Sequence, residues 1–109
     1  MKHEPITEAM YYVLLSLYEP LHGYAVLEKV NQLSKGRIDI GPGTLYGILK
    51  RLHEVEHYIY LKESDGRRKV YEITFKGKEA LEQEYYRISN LVLDGKVILE
   101  KGERGWGKR

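Results

Sequence analysis

"HYIYLKESDGRRKVYEIT", residues 57–74, decides the fold. Two runs of alternating side chains flank Ser64-Asp65-Gly66-Arg67, and Asp-Gly between such runs is a strong hairpin signal. Residues 57–63 place Ile59 and Leu61 on one side and Tyr58, Tyr60 and Lys62 on the other. Residues 68–74 alternate less cleanly, with Val70 out of step with Tyr71 and Ile73. The tip gathers Gly66, Arg67, Arg68 and Lys69. Taken alone it is an ordinary solvated turn; beside the right neighbours it is a finger for an anionic polymer.

The neighbours upstream are three helices. Residues 6–18 carry Ile6, Met10, Val13, Leu14 and Leu17 at helical spacing and stop at Pro20. Leu21-His22-Gly23 reads as a tight connection to a second helix over residues 23–34, with Val26, Leu27, Val30 and Leu33 inward. "SKGRIDIGPG" is a loop in which Ile38 and Ile40 alternate over a short extended piece suited to pairing with a later strand. In "GPGTLYGILKRLHEVEH", residues 41–57, Gly41 suits an N-cap and Pro42 the first helical position. Leu45, Ile48, Leu49, Leu52 and Val55 fall on one face of this third helix. Gly43, Gly47, Lys50 and Glu54 point away from it, flanked by Thr44 and Arg51 on one side and Tyr46 and His53 on the other.

Downstream, a last helix starts near Lys76. Positions 81, 85, 88, 92, 95 and 99 keep a heptad, with glycine at 95. "LVLDGKVIL" is compatible with a second Asp-Gly hairpin, but the heptad phase runs through it and favours helix. The glycine-rich "KGERGWGKR" is expected to fray.

The totals bound the class. The chain has 109 residues, 42% hydrophobic and 31% charged, which suits one globular domain. No apolar run approaches the roughly 20 residues of a membrane helix, and Glu4 and Glu8 sit where a secretory leader would be basic and then apolar. Cysteine is absent, which removes disulfides and thiolate chemistry and fits a cytoplasmic setting. Net charge is only +2, so any case for nucleic acid rests on where the cations sit.

Two short helices, a third helix and a basic hairpin, in that order, describe a winged helix-turn-helix: mainly α, with a small β-hairpin. In that architecture the third helix enters the major groove. Guanidinium groups at the hairpin tip then reach flanking phosphates or the minor groove. Gly43 and Gly47 leave the outer face of the third helix without bulk. Thr44 and Tyr46 offer hydroxyls there, and Lys50 and Arg51 offer charge. Gly23 and Tyr24 open the second helix, where backbone N–H groups face an anion.

"LHGYAVLEKV", "GPGTLYGILKRL" and "DGRRKVYEITFKG" together resemble the PadR-like transcriptional regulators, in order, over residues 6–79. The resemblance implies a homodimer on a palindromic operator in double-stranded DNA, usually acting as a repressor. It maps DNA contact to Tyr24, Thr44, Tyr46, Lys50 and Gly66-Arg67-Arg68-Lys69, to which Gly43, Gly47 and Arg51 are added from the helix face. Dimerisation maps to Leu81, Tyr85, Ile88 and Val92, and the heptad extends it to Leu99. Thr74 and Gly77 match the family's strand-to-helix junction. Residues 1–75 are then the DNA-binding domain, 76–100 the dimerisation helix and 101–109 the tail. Some members of the family bind small aromatic effectors at the dimer interface, and Tyr85 and Tyr86 are placed to line such a pore; the role is not carried onto Trp106. The chain departs from the family at Gly41, where a serine cap is common, and at Glu56-His57, where a glycine usually ends the recognition helix.

Other classes find less support. His53 and His57 share a helix face, but no third metal ligand is evident, and no cofactor is expected. There is no Gly-Lys-Ser/Thr phosphate loop, nucleophile elbow or HExxH, so nothing points to an enzyme. The alternative in a different class is a winged-helix module that binds protein and not DNA, which the modest net charge favours.

Overall fold

The computed structural model describes residues 6–106, with side chains through Lys101. Helix α1 (Glu8–Ser16) starts at Thr7, whose Oγ1 accepts the Met10 N–H at 3.1 Å. After Pro20 come strand β1 (Leu21–His22), helix α2 (Gly23–Leu33), helix α3 (Pro42–Lys50) and a π-helical turn over Arg51–Val55. The hairpin strands are β2 (Ile59–Ser64) and β3 (Lys69–Ile73), and α4 (Phe75–Trp106) follows. This is a winged helix-turn-helix with a long C-terminal helix.

The antiparallel sheet has the order β1-β3-β2. Its third strand corrects the expectation for Ile38 and Ile40. The edge of β3 is occupied by Leu21 and His22, paired to Tyr71 and Val70, and by the Leu17 carbonyl, which accepts the Ile73 N–H at 2.9 Å. With that ladder filled, Ile38 and Ile40 pack half-buried against the core. The uneven alternation of the hairpin also has a cause. Pairing runs Leu61↔Tyr71 and then Glu63↔Val70, so Lys62 is an extra, bulged residue. Its ammonium reaches the Glu72 carboxylate at 3.4 Å, on the face where the Tyr60 hydroxyl donates to the same oxygen at 2.6 Å.

Met10, Val13 and Leu14 of α1 with Leu17 just after it, Val26 and Val30 of α2, and Leu45, Leu49 and Leu52 meet Ile59 and Ile73 in one core. Val55 does not join them; it is 65% exposed. The π turn explains this. Glu56 N–H donates to Arg51 O at 3.0 Å, five residues back, and the widened turn rotates the end of the helix out of α-helical phase. Tyr58 N–H then closes onto Leu52 O at 2.8 Å, and the chain delivers Tyr58 and Ile59 inward.

His57 completes that turn at φ 60°, the left-handed conformation that glycine adopts without cost. A residue with a side chain is therefore held there under local strain. His57→Gly is expected to raise stability by about 0.5 kcal/mol, relief of strain outweighing the extra freedom of the unfolded chain. Urea unfolding midpoints of the two proteins check it.

Thr74 ties the hairpin to α4. Its Oγ1 donates to His57 O at 2.9 Å and accepts the Gly77 N–H at 3.0 Å, while its own N–H donates to Tyr58 O at 2.8 Å. From this anchor α4 packs Ala80 and Leu81 into the core. It then continues without a break through Asp94-Gly95, as the heptad phase indicated, and on to Trp106, into the segment expected to fray; residues 107–109 of that segment lie outside the described residues. From Asn90 to Lys101 every side chain but that of Gly95 is exposed, and the glycine has none. No described helix is long and apolar enough to cross a membrane.

Candidate nucleic-acid interface

The start of α2, the exposed side of α3 and the hairpin tip converge on one open cleft of about 670 Å³. Tyr24 lines it from α2 and Tyr46 from α3. Arg67, Arg68 and Lys69 line it from the hairpin, with Tyr71 behind them. Both Tyr24 and Tyr46 are about two-thirds exposed, at 67% and 65%. Gly23 lies where α2 and α3 meet. A Cβ at that position would stand 3.8 Å from both Leu45 Cδ2 and Tyr46 Oη, an ordinary contact distance.

Gly43, Thr44, Gly47 and Lys50 lie outside the cleft, on the adjoining solvent face of α3. With Tyr46 as origin, Lys50, Gly43, Gly47 and Thr44 follow at about 40°, 60°, 100° and 160° around the helix. They form one continuous exposed arc whose edge is the cleft. Nothing lies within 4 Å of a Cβ built on Gly43 or Gly47, so this arc is backbone-thin and open.

Arg51 is paired across the π turn. Its Nε and Nη2 both donate to Glu56 Oε2, at 3.2 and 3.1 Å, across the π turn. The guanidinium thereby meets the Glu56 carboxylate at the end of the helix. Among the described residues, the side chains of Lys50, Arg67, Arg68 and Lys69 enter no ion pair.

The hairpin tip is shaped by Asp65. Its Oδ1 accepts the backbone N–H of Arg68 at 2.8 Å and that of Arg67 at 3.3 Å, and Gly66 supplies the positive φ of 93°. The Arg68 and then the Arg67 amides hold the Asp65 carboxyl below the usual carboxylate range. Burial, then the Glu54 carboxylate, raises the Tyr71 phenol above its ordinary value, so it remains a neutral donor. His22, Tyr71 and Asp65 belong to the cleft but were not singled out for the site from sequence. A two-residue strand leaves no periodic signal for His22, and the bulge obscures the phase of Tyr71. His53 packs its ring against Tyr71, centroids 5.6 Å apart, and no group of three metal-binding side chains occurs among the described residues.

The second expected surface is on α4. Tyr85, Val92 and Leu99 are exposed and Ile88 is half-buried, but Leu81 is 4% exposed and is taken up by the protomer's own core. A groove of about 390 Å³ runs between α1 and α4, with Ile6, Tyr11 and Ile88 on its apolar side and two Glu–Arg pairs, Glu8–Arg37 and Glu84–Arg87, beside them.

An open face of α3 bordered by an arginine-tipped hairpin is the arrangement of a winged helix-turn-helix. The profile of the PadR-like transcriptional regulators matches residues 12–83, and the chain belongs to that family, which is one of regulators and not of enzymes. It is similar to a PadR-family transcriptional regulator of Eggerthella lenta, with 29% identity and a TM-score of 0.63 over 83% of this chain and 79% of that one. A PadR-like regulator of Bacillus cereus gives 26% identity and a TM-score of 0.64 over 84% and 89%. An uncharacterised 37.1 kDa protein of a Streptomyces fradiae transposon is 39% identical over 85 residues. Those residues are 77% of this chain but only 24% of that relative's length.

Proposed function

We propose that this regulator is a cytoplasmic homodimer that binds a palindromic operator in double-stranded DNA and represses transcription. One observation carries the reading: Tyr46 of α3 and the hairpin's Arg67 and Arg68 line a single cleft, so a helix and a cationic finger address one ligand from adjacent positions. A duplex fits that arrangement. With α3 in the major groove, Gly43 and Gly47 permit close approach of the backbone. Thr44, Tyr46 and Lys50 then reach base edges or the groove wall. The tip cations meet the flanking phosphates.

The apolar side of α4, with Tyr85, Val92 and Leu99 exposed and Ile88 half-buried, supports pairing of two copies, which turns one half-site into two. Repression follows the family resemblance. A small aromatic effector between the copies would act by changing the spacing of the two α3 helices. Tyr85 and Tyr86, exposed on α4 with ring centroids 5.4 Å apart, support such a site.

Arg67→Ala with Arg68→Ala is the test. The double variant should lower affinity for operator and random duplex alike and flatten the plot of log K against log salt by about one to two units of slope. An unchanged slope removes the hairpin from the mechanism. Failure of the unaltered protein to bind any duplex at low salt favours the protein-binding alternative.

A further inference from the structure

We infer that Asp65 is a positioning residue for DNA binding, one that aids affinity even though its charge has the wrong sign for a phosphate-facing cleft. The inference rests on the DNA-binding reading. Asp65 lines the cleft beside Arg67 and Arg68, so simple electrostatics makes it a defect. The geometry gives it a different part. A single oxygen, Oδ1, accepts both the Arg67 and the Arg68 amide, at 3.3 and 2.8 Å. Asp65 N–H donates back to Arg68 O at 3.3 Å, closing the four-residue tip.

These bonds fix the backbone of the two residues whose side chains carry the charge. Without them, the tip holds one backbone–backbone bond and a glycine at φ 93°, and the arginines leave the strands from a loose loop. Ordering that loop on DNA then costs entropy at every binding event. The fixed tip removes that cost beforehand. Because acceptance of two amides needs only an oxygen at Oδ1, asparagine should serve as well.

Glu63 is the control for charge. It sits two residues away near the end of β2, and its carboxylate forms no hydrogen bond or ion pair among the described residues. Removing its charge alters the field near the tip but leaves the turn alone.

The experiment compares binding of a labelled random-sequence duplex at low salt by the unaltered protein, Asp65→Ala, Asp65→Asn and Glu63→Ala. Glu63→Ala should bind slightly tighter. Asp65→Ala, with the same change in net charge, should bind about fivefold weaker and lose about one unit of salt slope. Asp65→Asn should restore both affinity and slope, a rescue that a general loss of folding would not show. If Asp65→Ala binds as tightly as Glu63→Ala, Asp65 is only a repulsive charge and the inference is overturned. If the unaltered protein binds no duplex, the DNA-binding reading falls, and the positioning role falls with it.

Discussion

Gly77→Ala, at the tightest position for an added methyl group among the described glycines, is expected to cost about 3 kcal/mol of folding stability. A Cβ at this position would stand 2.1 Å from Tyr58 O, 2.8 Å from Ile73 Cγ1 and 2.9 Å from Tyr58 C. None of these can step aside cheaply. Tyr58 O already accepts the Thr74 N–H at 2.8 Å, and both Tyr58 and Ile73 are buried. Relief therefore means lifting the first turn of α4 off the sheet, which opens the junction made by Thr74. The roughly 1 kcal/mol of helix propensity that alanine gains over glycine offsets only part of this. Gly47→Ala provides the contrast, because nothing lies within 4 Å of its added Cβ. That variant should be about 1 kcal/mol more stable, while its methyl stands on the exposed face of α3. Urea unfolding of the two variants reads both signs; equal midpoints would mean that the α4 junction has room for a methyl group.

Val92→Glu with Leu99→Glu should convert a dimer to a monomer and lower operator affinity by about a hundredfold or more, since two linked half-sites become one. Neither residue touches the domain core, being 62% and 54% exposed, so the helical content of the variant should persist. The reason to expect pairing is the distribution of apolar side chains on the outer half of α4. Leu91, Val92, Leu93, Val97, Ile98 and Leu99 are all exposed. At 100° per residue they cover about 260° of the helix circumference. A helix apolar over so much of its surface is not at home in water. A single facing helix covers a stripe near 100° wide, so more than one element of the partner is needed. Sedimentation velocity distinguishes the outcomes: an unchanged mass for the double variant would place any dimer contact elsewhere.

The legible parts of this fold were those with local periodicity or turn chemistry. Asp65-Gly66 announced the hairpin, and the run from Leu81 to Leu99 announced an unbroken α4 despite Gly95. Gly43 and Gly47 announced a bare helix face, because their neighbours fixed its phase. The illegible parts depend on long-range partners. Two residues, Leu21 and His22, make a strand only because β3 has an unfilled edge. Val55 follows perfect helical spacing, yet the π turn that begins at Arg51 rotates it into water. The same turn places Glu56 against Arg51, an ion pair that regular helical spacing does not show. Leu81 and Val92 share one heptad stripe, but spacing does not say which is covered by the protomer's own core and which is left for another chain. Asp65 shows the limit for the site: its charge argued against it, and only its two amide contacts reveal what it shapes.

The central claim is that α3 and the arginine-tipped hairpin act side by side, twice, on one duplex. Genomic fragments captured by the protein, followed by hydroxyl-radical footprinting of the best-bound one, test it most directly. Two equivalent protected patches are expected, related by an inverted repeat and centred about 10 base pairs, or a multiple of that, apart. A single patch, or no fragment enriched over background, would contradict it.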